Sequence, residues 1–348
     1  MRFYRGVHQY YCGIDLHART MYLCITDNHG TILLHESLPC QPAAFFTAIR
    51  PYMDDLVVTA ECIFCWYWLA DLCQQHSIKF VLAHALYLKA IHGGKTKNDR
   101  LDSEKLAVLL RGGVIPQAYV YPPELRPTRD LLRRRLFFTR KRAELLSHIQ
   151  NTFHQYNLSV PAAHLLRRKH RDGVAERFTD PIVRKTVEAD LLLCASYDER
   201  IKDLEKTVER EARDQEPHAL FLLQTIHGVG RILALTIPCE IHTIDRFPRV
   251  QDFSSYCRLV KATKTSAGKP LGTSGAKIGN AHLKWAFSEA AVCFLHNNPR
   301  GLQYKRRLQR RYGKGKSLSV LAAKLGRATY FMLKQKRPFD MDRFLVST

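Results

Sequence analysis

Five side chains in this 348-residue chain combine types and positions that could do chemistry: the carboxylates Asp15, Glu61, Asp99 and Asp102, and the hydroxyl of Ser266. Asp15 lies inside the apolar stretch YCGIDLH (residues 11–17), and Glu61 ends the apolar run LVVTA (residues 56–60). An ionised carboxylate in such surroundings is costly unless it is paired or metal-bound; for either acid alone, a strand end pointing into water is the simpler reading. Asp99 and Asp102 stand at i, i+3 near a helix start, which puts both on one helix face. Acids complementing the helix dipole, or Asp102 acting as a cap, are the alternatives there. Four such acids on one mixed sheet suit a phosphodiester site that holds two Mg2+ ions about 3.5–4 Å apart.

Ser266 sits in residues 261–280, KATKTSAGKPLGTSGAKIGN, with five hydroxyls, four lysines and no acid. Such a loop suits a phosphate, because glycine frees backbone N–H groups, lysine supplies charge and a hydroxyl donates or attacks. Lys264, Lys269 and Lys277 are its candidate nucleic-acid contacts; a solvated basic loop is the plainer reading. An unactivated serine is a poor nucleophile, and this stretch holds no His or Asp to serve as base. Activation has to come from elsewhere, and a metal held by the carboxylates is the available source.

The elements that must position these groups can be read in order. Residues 11–37 form a meander of three strands with a turn at Asn28-His29-Gly30. A short amphipathic helix follows at 42–52, then strands at 56–60 and 78–84, and a helix at 103–111. This is a mixed α/β sheet. The sequence GGKT at 93–96 is no nucleotide-binding phosphate loop, since the glycine required at position 89 is Lys89; His92, Lys95 and Lys97 instead flank the acids as phosphate contacts. Cys62, Cys65, Cys73 and His76 have zinc-like spacing, but the residues between them are apolar, which favours buried thiols over a metal site.

After a proline-rich linker at 117–127, apolar residues repeat in heptad-like fashion: Leu131, Phe138, Leu145, Ile149, Phe153 and Tyr156, then Val183, Val187, Leu191, Cys194, Tyr197, Ile201, Leu204 and Val208. The pattern predicts two helices forming either an antiparallel hairpin or an intermolecular coiled coil. Arg133 and Arg134 on the opposite face are candidate backbone contacts. Two helical halves joined at Gly228-Val229-Gly230 form either a phosphate-binding helix–hairpin–helix or an ordinary tight turn. Residues 281–295 are apolar nearly all round and predict a buried helix. The following run carries Arg306, Arg307, Arg310 and Arg311 with Tyr304 and Tyr312 interleaved, a general nucleic-acid signal. A last amphipathic helix holds Leu318, Leu321, Leu325, Ala328 and Met332.

Charge agrees with a polyanionic partner. The net charge is +22, distributed as about +1 over residues 1–115, about +5 over 116–215 and about +16 over 216–348. A neutral, acid-bearing module thus precedes a strongly basic one. No stretch reads as a signal peptide or membrane span, and ten scattered cysteines fit a reducing cytoplasm.

The order of these motifs resembles the DEDD-type insertion-sequence transposases, the IS-one-ten group of bridge-RNA-guided recombinases. The resemblance spans nearly the whole chain. It rests on Gly13-Ile-Asp15, Glu61 and Asn98-Asp99-Arg-Leu-Asp102 in the first half. In the second half it rests on Gly228-Val-Gly230, Asp245-Arg-Phe247, Tyr256-x-x-Leu259, Ser266-Ala-Gly268-Lys269 and Lys277-x-Gly279-Asn280-x-x-Leu283. The chain departs from the family where Gly-Leu-x-Pro is common and Arg258-Leu-Val-Lys261 stands instead.

The resemblance implies an α/β-plus-α architecture. A ribonuclease H-like (RuvC-like) domain would occupy residues 1–122, a helical coiled-coil segment 123–215, and a mainly helical transposase domain 216–348. It implies that Asp15, Glu61, Asp99 and Asp102 bind Mg2+, with Mn2+ able to substitute, and that Ser266 is the nucleophile, holding a DNA end as a phosphoserine. It further implies donor and target DNA, a structured guide RNA, a homo-oligomer (dimer or tetramer) and a prokaryotic, nucleoid-associated setting. The expectation is a composite site in which the acids serve the serine. Two competing readings are a metal-dependent nuclease of the junction-resolvase type, without a covalent intermediate, and a nucleic-acid binder without chemistry.

Overall fold

The structure is a computed structural model that describes residues 2–91, 98–160, 165–212, 217–274 and 278–346. Lys95, Lys97 and Lys277 lie outside the described residues, as do His92 and the GGKT stretch. The chain divides into two units, Met1–Pro123 and Glu124–Thr348.

In the first unit, β1 (Tyr10–Leu16), β2 (Thr20–Asp27) and β3 (Ile32–Pro39) form the expected meander. Then come α1 (Pro42–Ile49), a 3-10 turn (Arg50–Asp55), β4 (Leu56–Glu61), α2 (Tyr67–Gln75), β5 (Lys79–Ala83), α3 (Ala85–Ile91) and α4 (Asp99–Arg111). The sheet order is β3-β2-β1-β4-β5. β1 runs antiparallel to β2 and parallel to β4, which is parallel to β5. This is a mixed sheet of the ribonuclease H-like kind.

The sheet is buried on both faces. Cys12, Ile14 and Leu16 join Val58, Ala60, Phe45 and Leu69 in one core, while Tyr11 and Val57 join Leu106, Leu109 and Leu110 in another. The second core exists because β1 carries glycine where α4 crosses it. A Cβ on Gly13 would lie 2.3 Å from the Ala107 nitrogen and 2.3 Å from the Ser103 oxygen. Helix backbone therefore presses directly on strand backbone, an approach that only glycine permits. α4 begins four residues earlier than the sequence suggests, because the Asn98 side chain accepts a hydrogen bond from the Leu101 N–H and caps the first turn. Asn98, not Asp102, is the cap.

In the second unit, a 3-10 turn (Pro123–Leu125) leads into α5 (Arg126–Gln155), which pairs with α6 (Pro181–Ala212). Cross-links Arg135–Glu205, Arg142–Asp198 and His148–Asp190 descend on one helix as they climb on the other, so the pair is antiparallel. Within the single chain the two helices pair as the antiparallel hairpin, one of the two arrangements the heptads allow. Val187, Cys194, Ile201 and Val208 are buried at seven-residue intervals on α6, as the pattern suggests.

On α5 the buried line is Leu132, Leu136, Leu146, Ile149 and Phe153, whereas Tyr156 is exposed. The seam is displaced toward Leu132 because α5 also packs on a third helix: Leu132 clusters with Val208, Leu235 and Cys239.

The remaining elements are α7 (Pro217–Gln224), α8 (Arg231–Ile241), a 3-10 turn (Ile244–Arg246), α9 (Val250–Tyr256), β6 (Ala262–Ser266), β7 (Lys269–Ser274), α10 (Ala281–Leu295), α11 (Pro299–Tyr312), α12 (Lys314–Gln335) and α13 (Met341–Val346). The helices share one core, with Phe253, Leu283, Phe287, Phe294, Leu321 and Leu325 at its centre. α10 is amphipathic rather than buried all round: Lys284, Ser288, Glu289 and Val292 face solvent.

Candidate active site

The first constellation forms at the carboxyl ends of β1 and β4. Ile14 pairs with Ala60, so Asp15 and Glu61 follow on adjacent parallel strands. Side chains alternate along a strand, which puts Asp15 on the face of Tyr11 and Gly13, and Glu61 on the face of Val57. That is the face α4 covers, and the N-terminus of α4 brings Asp99 to the same end.

His17, two residues beyond Asp15 and on its side of the strand, joins the two acids. Its Nε2 lies 3.4 Å from Asp15 Oδ2 and 3.4 Å from Asp99 Oδ2. Asp15, His17 and Asp99 each offer a ligand atom, all within 4.8 Å of one another. Among the described residues, this is the group of acids, histidines and cysteines that could hold a metal ion. Two carboxylate oxygens and an imidazole nitrogen fit a divalent ion, the oxygens suiting Mg2+ or Mn2+ and the nitrogen favouring Mn2+ and later metals.

Asp102 stands on the next part of the first turn of α4, where Lys105 pairs with it at 3.0 Å. Of the four acids expected, two are thus gathered by His17. The other two stand beside them on β4 and α4, outside that cluster. The sequence signal for His17 was its i+2 spacing from Asp15, which on a strand means the same face.

The second constellation carries Ser266. Residues 262–274 are not an irregular loop: β6 and β7 form a β-hairpin in which Ser266 pairs with Lys269 across a two-residue turn. Ala267 and Gly268 have φ of +47° and +75°, the left-handed pair of a type I′ turn. Ser266 is therefore the last strand residue before the tip, and it is exposed together with Thr265, Ala267, Gly268 and Lys269. Among the described residues, no titratable side chain is hydrogen-bonded to its hydroxyl.

The base of the hairpin, in contrast, is tied down. The Asn280 N–H donates to the Tyr256 carbonyl at 2.6 Å, and Arg258 Nε donates to the Gly279 carbonyl at 2.8 Å. A Cβ on Gly279, whose φ is +96°, would meet the Tyr256 oxygen at 2.6 Å. Arg258 itself adopts φ of +55°, a conformation glycine takes more readily; this is where the family commonly has glycine.

Asn280 Oδ1 accepts from the N–H groups of His282 and Leu283, capping α10, and Asn280 Nδ2 donates to Glu240 Oε2 at 2.7 Å. Glu240 is 1% exposed, and Arg133 grips it through two bonds of 2.7 Å. Burial works against ionising this carboxyl, but Arg133 and Asn280 together hold its pKa below the ordinary glutamate value. The family-like residues Asp245-Arg-Phe247, Tyr256, Gly279-Asn280 and Leu283 thus build the frame from which the serine hairpin projects.

The candidate nucleic-acid contacts divide. Arg133 is paired with Glu240 through Nε and Nη2. Arg134 lies over the Phe137 ring, at 5.4 Å from the centroid. Gly228 is packed, not presented: with φ of +81°, its absent Cβ would meet the Cys293 oxygen at 2.3 Å. Gly230 starts α8 with open space around it. Lys264 lies on β6 and Lys269 opens β7, exposed at the tip. Arg306, Arg307, Arg310 and Arg311 line the exposed face of α11. Tyr304 is buried and receives a hydrogen bond from Lys324 Nζ at 3.0 Å, so it belongs to the core rather than to a stacking surface. Cys73 is also core, its thiol pushed up to about 12 by burial.

An acid cluster at the carboxyl edge of a ribonuclease H-like sheet, in a chain with a basic helical second unit, suits metal-dependent chemistry on a nucleic-acid phosphodiester. Comparison with known proteins agrees. Residues 12–158 match a transposase family of the IS110 DEDD type, and residues 221–306 match the transposase IS116/IS110/IS902 family. The transposase for insertion sequence element IS1111A of Coxiella burnetii (strain RSA 493 / Nine Mile phase I) is 21% identical over 338 residues, covering 94% of this chain and 90% of its own length. The chain belongs to the IS110 family of DEDD transposases. DNA is its partner, and divalent metal use goes with the family. Among the described residues, no helix is long and apolar enough to cross a membrane.

Proposed function

We propose that this transposase cuts and rejoins DNA through Ser266, with Asp15, Glu61, Asp99 and Asp102 serving the same phosphodiester. The observation that carries the reading is the placement of Ser266 at the exposed tip of a hairpin whose base is fastened by Asn280, Arg258 and Glu240. A hydroxyl held forward on a fixed frame suits attack on a bound phosphate, because positioning alone removes much of a barrier. In the step, the Ser266 Oγ–phosphorus bond forms and the bond from phosphorus to one sugar oxygen breaks. The serine proton is lost and the departing sugar oxygen is protonated. Rejoining is the reverse, with a hydroxyl of the new partner strand displacing Ser266.

Mg2+, in two sites or replaced by Mn2+, is the ion we assign to the acids; bound there, it supplies positive charge to a phosphate oxygen. Asp15, His17 and Asp99 would hold the ion, with Glu61 and Asp102 beside them, and Lys269 at the tip would draw the phosphate. A structured guide RNA would carry site choice, and the excess of positive charge supports a second nucleic acid. Pairing by RNA leaves the protein to bind shape and backbone. Leu192, 70% exposed on α6 beside Leu193, supports an oligomer, dimer or tetramer, formed through the helical hairpin. Ten cysteines free of disulfides support work in a reducing cytoplasm, at the nucleoid.

The test is to incubate the protein with labelled donor-end DNA and Mg2+ and to denature the product. A serine-linked adduct that survives denaturation is expected. Cleavage without adduct would assign the protein to metal-dependent nucleases of the junction-resolvase type.

A further inference from the structure

A cleft of about 1030 Å3 opens between α11, α12 and α13, and none of its lining residues belongs to the serine hairpin. This is at the upper end of ligand pockets, which run to about 1,000 Å3. Its lining combines aromatic rings with arginines. Phe331, on α12, is 42% exposed, and Tyr312 and Phe339 are half-buried beside it. Around these rings stand the exposed guanidinium groups of Arg311, Arg327 and Arg337.

None of those three arginines is in an ion pair with an acid among the described residues. The one acid in the lining, Asp340, accepts from the Arg343 N–H at 3.0 Å, at the start of α13, and pairs with none of the three. A core-facing explanation fails for Phe331, because its neighbours Tyr330 and Met332 are the residues buried there.

An aromatic floor inside a cationic rim has a specific complement: a flat π surface attached to a phosphate. Nucleobases offer that surface only when unpaired, since in a duplex both faces are covered by neighbouring base pairs. We infer that this cleft binds an unpaired stretch of nucleic acid, with a base against Phe331 and its phosphates on Arg311, Arg327 and Arg337. Stacking of this kind tolerates any base, so the site contributes grip and not sequence choice. The inference rests on the protein's being a DNA transposase and is independent of how Ser266 acts. A membrane surface or acidic peptide would satisfy the arginines but leave the exposed ring of Phe331 unexplained.

The test uses the full chain carrying Ser266→Ala, in EDTA, so that no chemistry contributes. Fluorescence anisotropy then measures binding of a short oligothymidylate and of a duplex of equal length. Phe331→Ala, a change at an exposed ring, is expected to weaken oligothymidylate binding at least about fivefold, the lower limit for loss of one stacked base, while duplex binding stays unchanged. Arg327→Gln is expected to weaken it and to lower the salt dependence by about one phosphate contact.

Thermal melting of each variant at the parent temperature establishes folding, and photo-cross-links from iodouracil are expected on the cleft residues. Wild-type binding of the oligonucleotide by both variants, parallel loss of duplex binding, or cross-links confined to other surfaces would overturn the inference. So would a change of oligomeric state in Phe331→Ala with oligonucleotide binding intact, which would assign the cleft to a second copy of the chain. Because no cleavage is read, failure here leaves the serine mechanism standing, and failure of that mechanism leaves this site standing.

Discussion

Asn280 donates a 2.7 Å hydrogen bond to the buried carboxylate of Glu240 and, through the opposite atom of the same amide, caps the helix that follows the serine hairpin. One side chain thereby fixes the exit of the hairpin to the interior of the second unit. Arg133 completes the arrangement from α5, so a helix far away in sequence determines where the base of the hairpin lies. Removing Arg133 leaves a buried charge unpaired, a loss of about 3–5 kcal/mol. Arg133→Ala is expected to lower urea-unfolding stability by an amount of that order, and Arg133→Ala combined with Glu240→Gln to recover part of it. Equal stability of wild type and Arg133→Ala would show that the pair does not hold the frame.

The same carboxylate sets a pH dependence. Its folded pKa is depressed below the ordinary glutamate value, so its contribution is present above the unfolded pKa of about 4.3. It is lost as pH falls through the folded value. Wild type should therefore gain stability relative to Glu240→Gln as pH rises from strongly acid to about 5, with no further gain above that. Unfolding curves of the two proteins at several pH values check this; a difference that grows above pH 7 would contradict it.

Gly13 and the metal cluster are linked by packing. Alanine at position 13 would drive a Cβ to 2.3 Å from α4 backbone atoms, and α4 carries Asp99. Gly13→Ala is expected to cost about 1–3 kcal/mol, the usual range for overpacking, and to weaken Mn2+ binding measured by calorimetry or EPR. His17→Ala should leave the fold unchanged while lowering Mn2+ affinity more than Mg2+ affinity, because it removes the nitrogen donor. Unaltered Mn2+ affinity in His17→Ala would remove His17 from the ligand set.

The two glycines of Gly228-Val229-Gly230 should behave oppositely. Gly228 has positive φ and faces the Cys293 carbonyl, whereas Gly230 has φ of −76° and open space. Gly228→Ala is expected to destabilise by more than about 1 kcal/mol, and Gly230→Ala to leave melting unchanged, which allows its effect on DNA affinity to be read cleanly. Equal melting of both variants would show that the turn is not held as described.

Much of this arrangement was legible in the sequence where local pattern and tertiary role coincide. The meander, the strand carrying Asp15, the strand ending at Glu61, and the seven-residue repeat of α6 all follow from periodicity. Features that depend on distant partners were not. The seam of α5 moved to Leu132 because α8 packs against it. Arg133 pairs with Glu240, 107 residues away. Tyr304 looked like a stacking ring until α12 covered it. The hairpin at 262–274 was obscured by a turn formed by Ala267-Gly268 in place of the usual Asn-Gly. His17 was hidden in plain alternation, since its role appears only when α4 brings Asp99 across.

The central claim is that Ser266 forms a covalent bond to DNA. Its most direct measurement is mass spectrometry of the denatured, nuclease-trimmed adduct formed on donor-end DNA with Mg2+. The account predicts a nucleotide esterified to Ser266, and loss of both adduct and strand joining in Ser266→Ala with DNA binding retained. Strand joining at the wild-type rate by Ser266→Ala, or a nucleotide on any other residue, would contradict it.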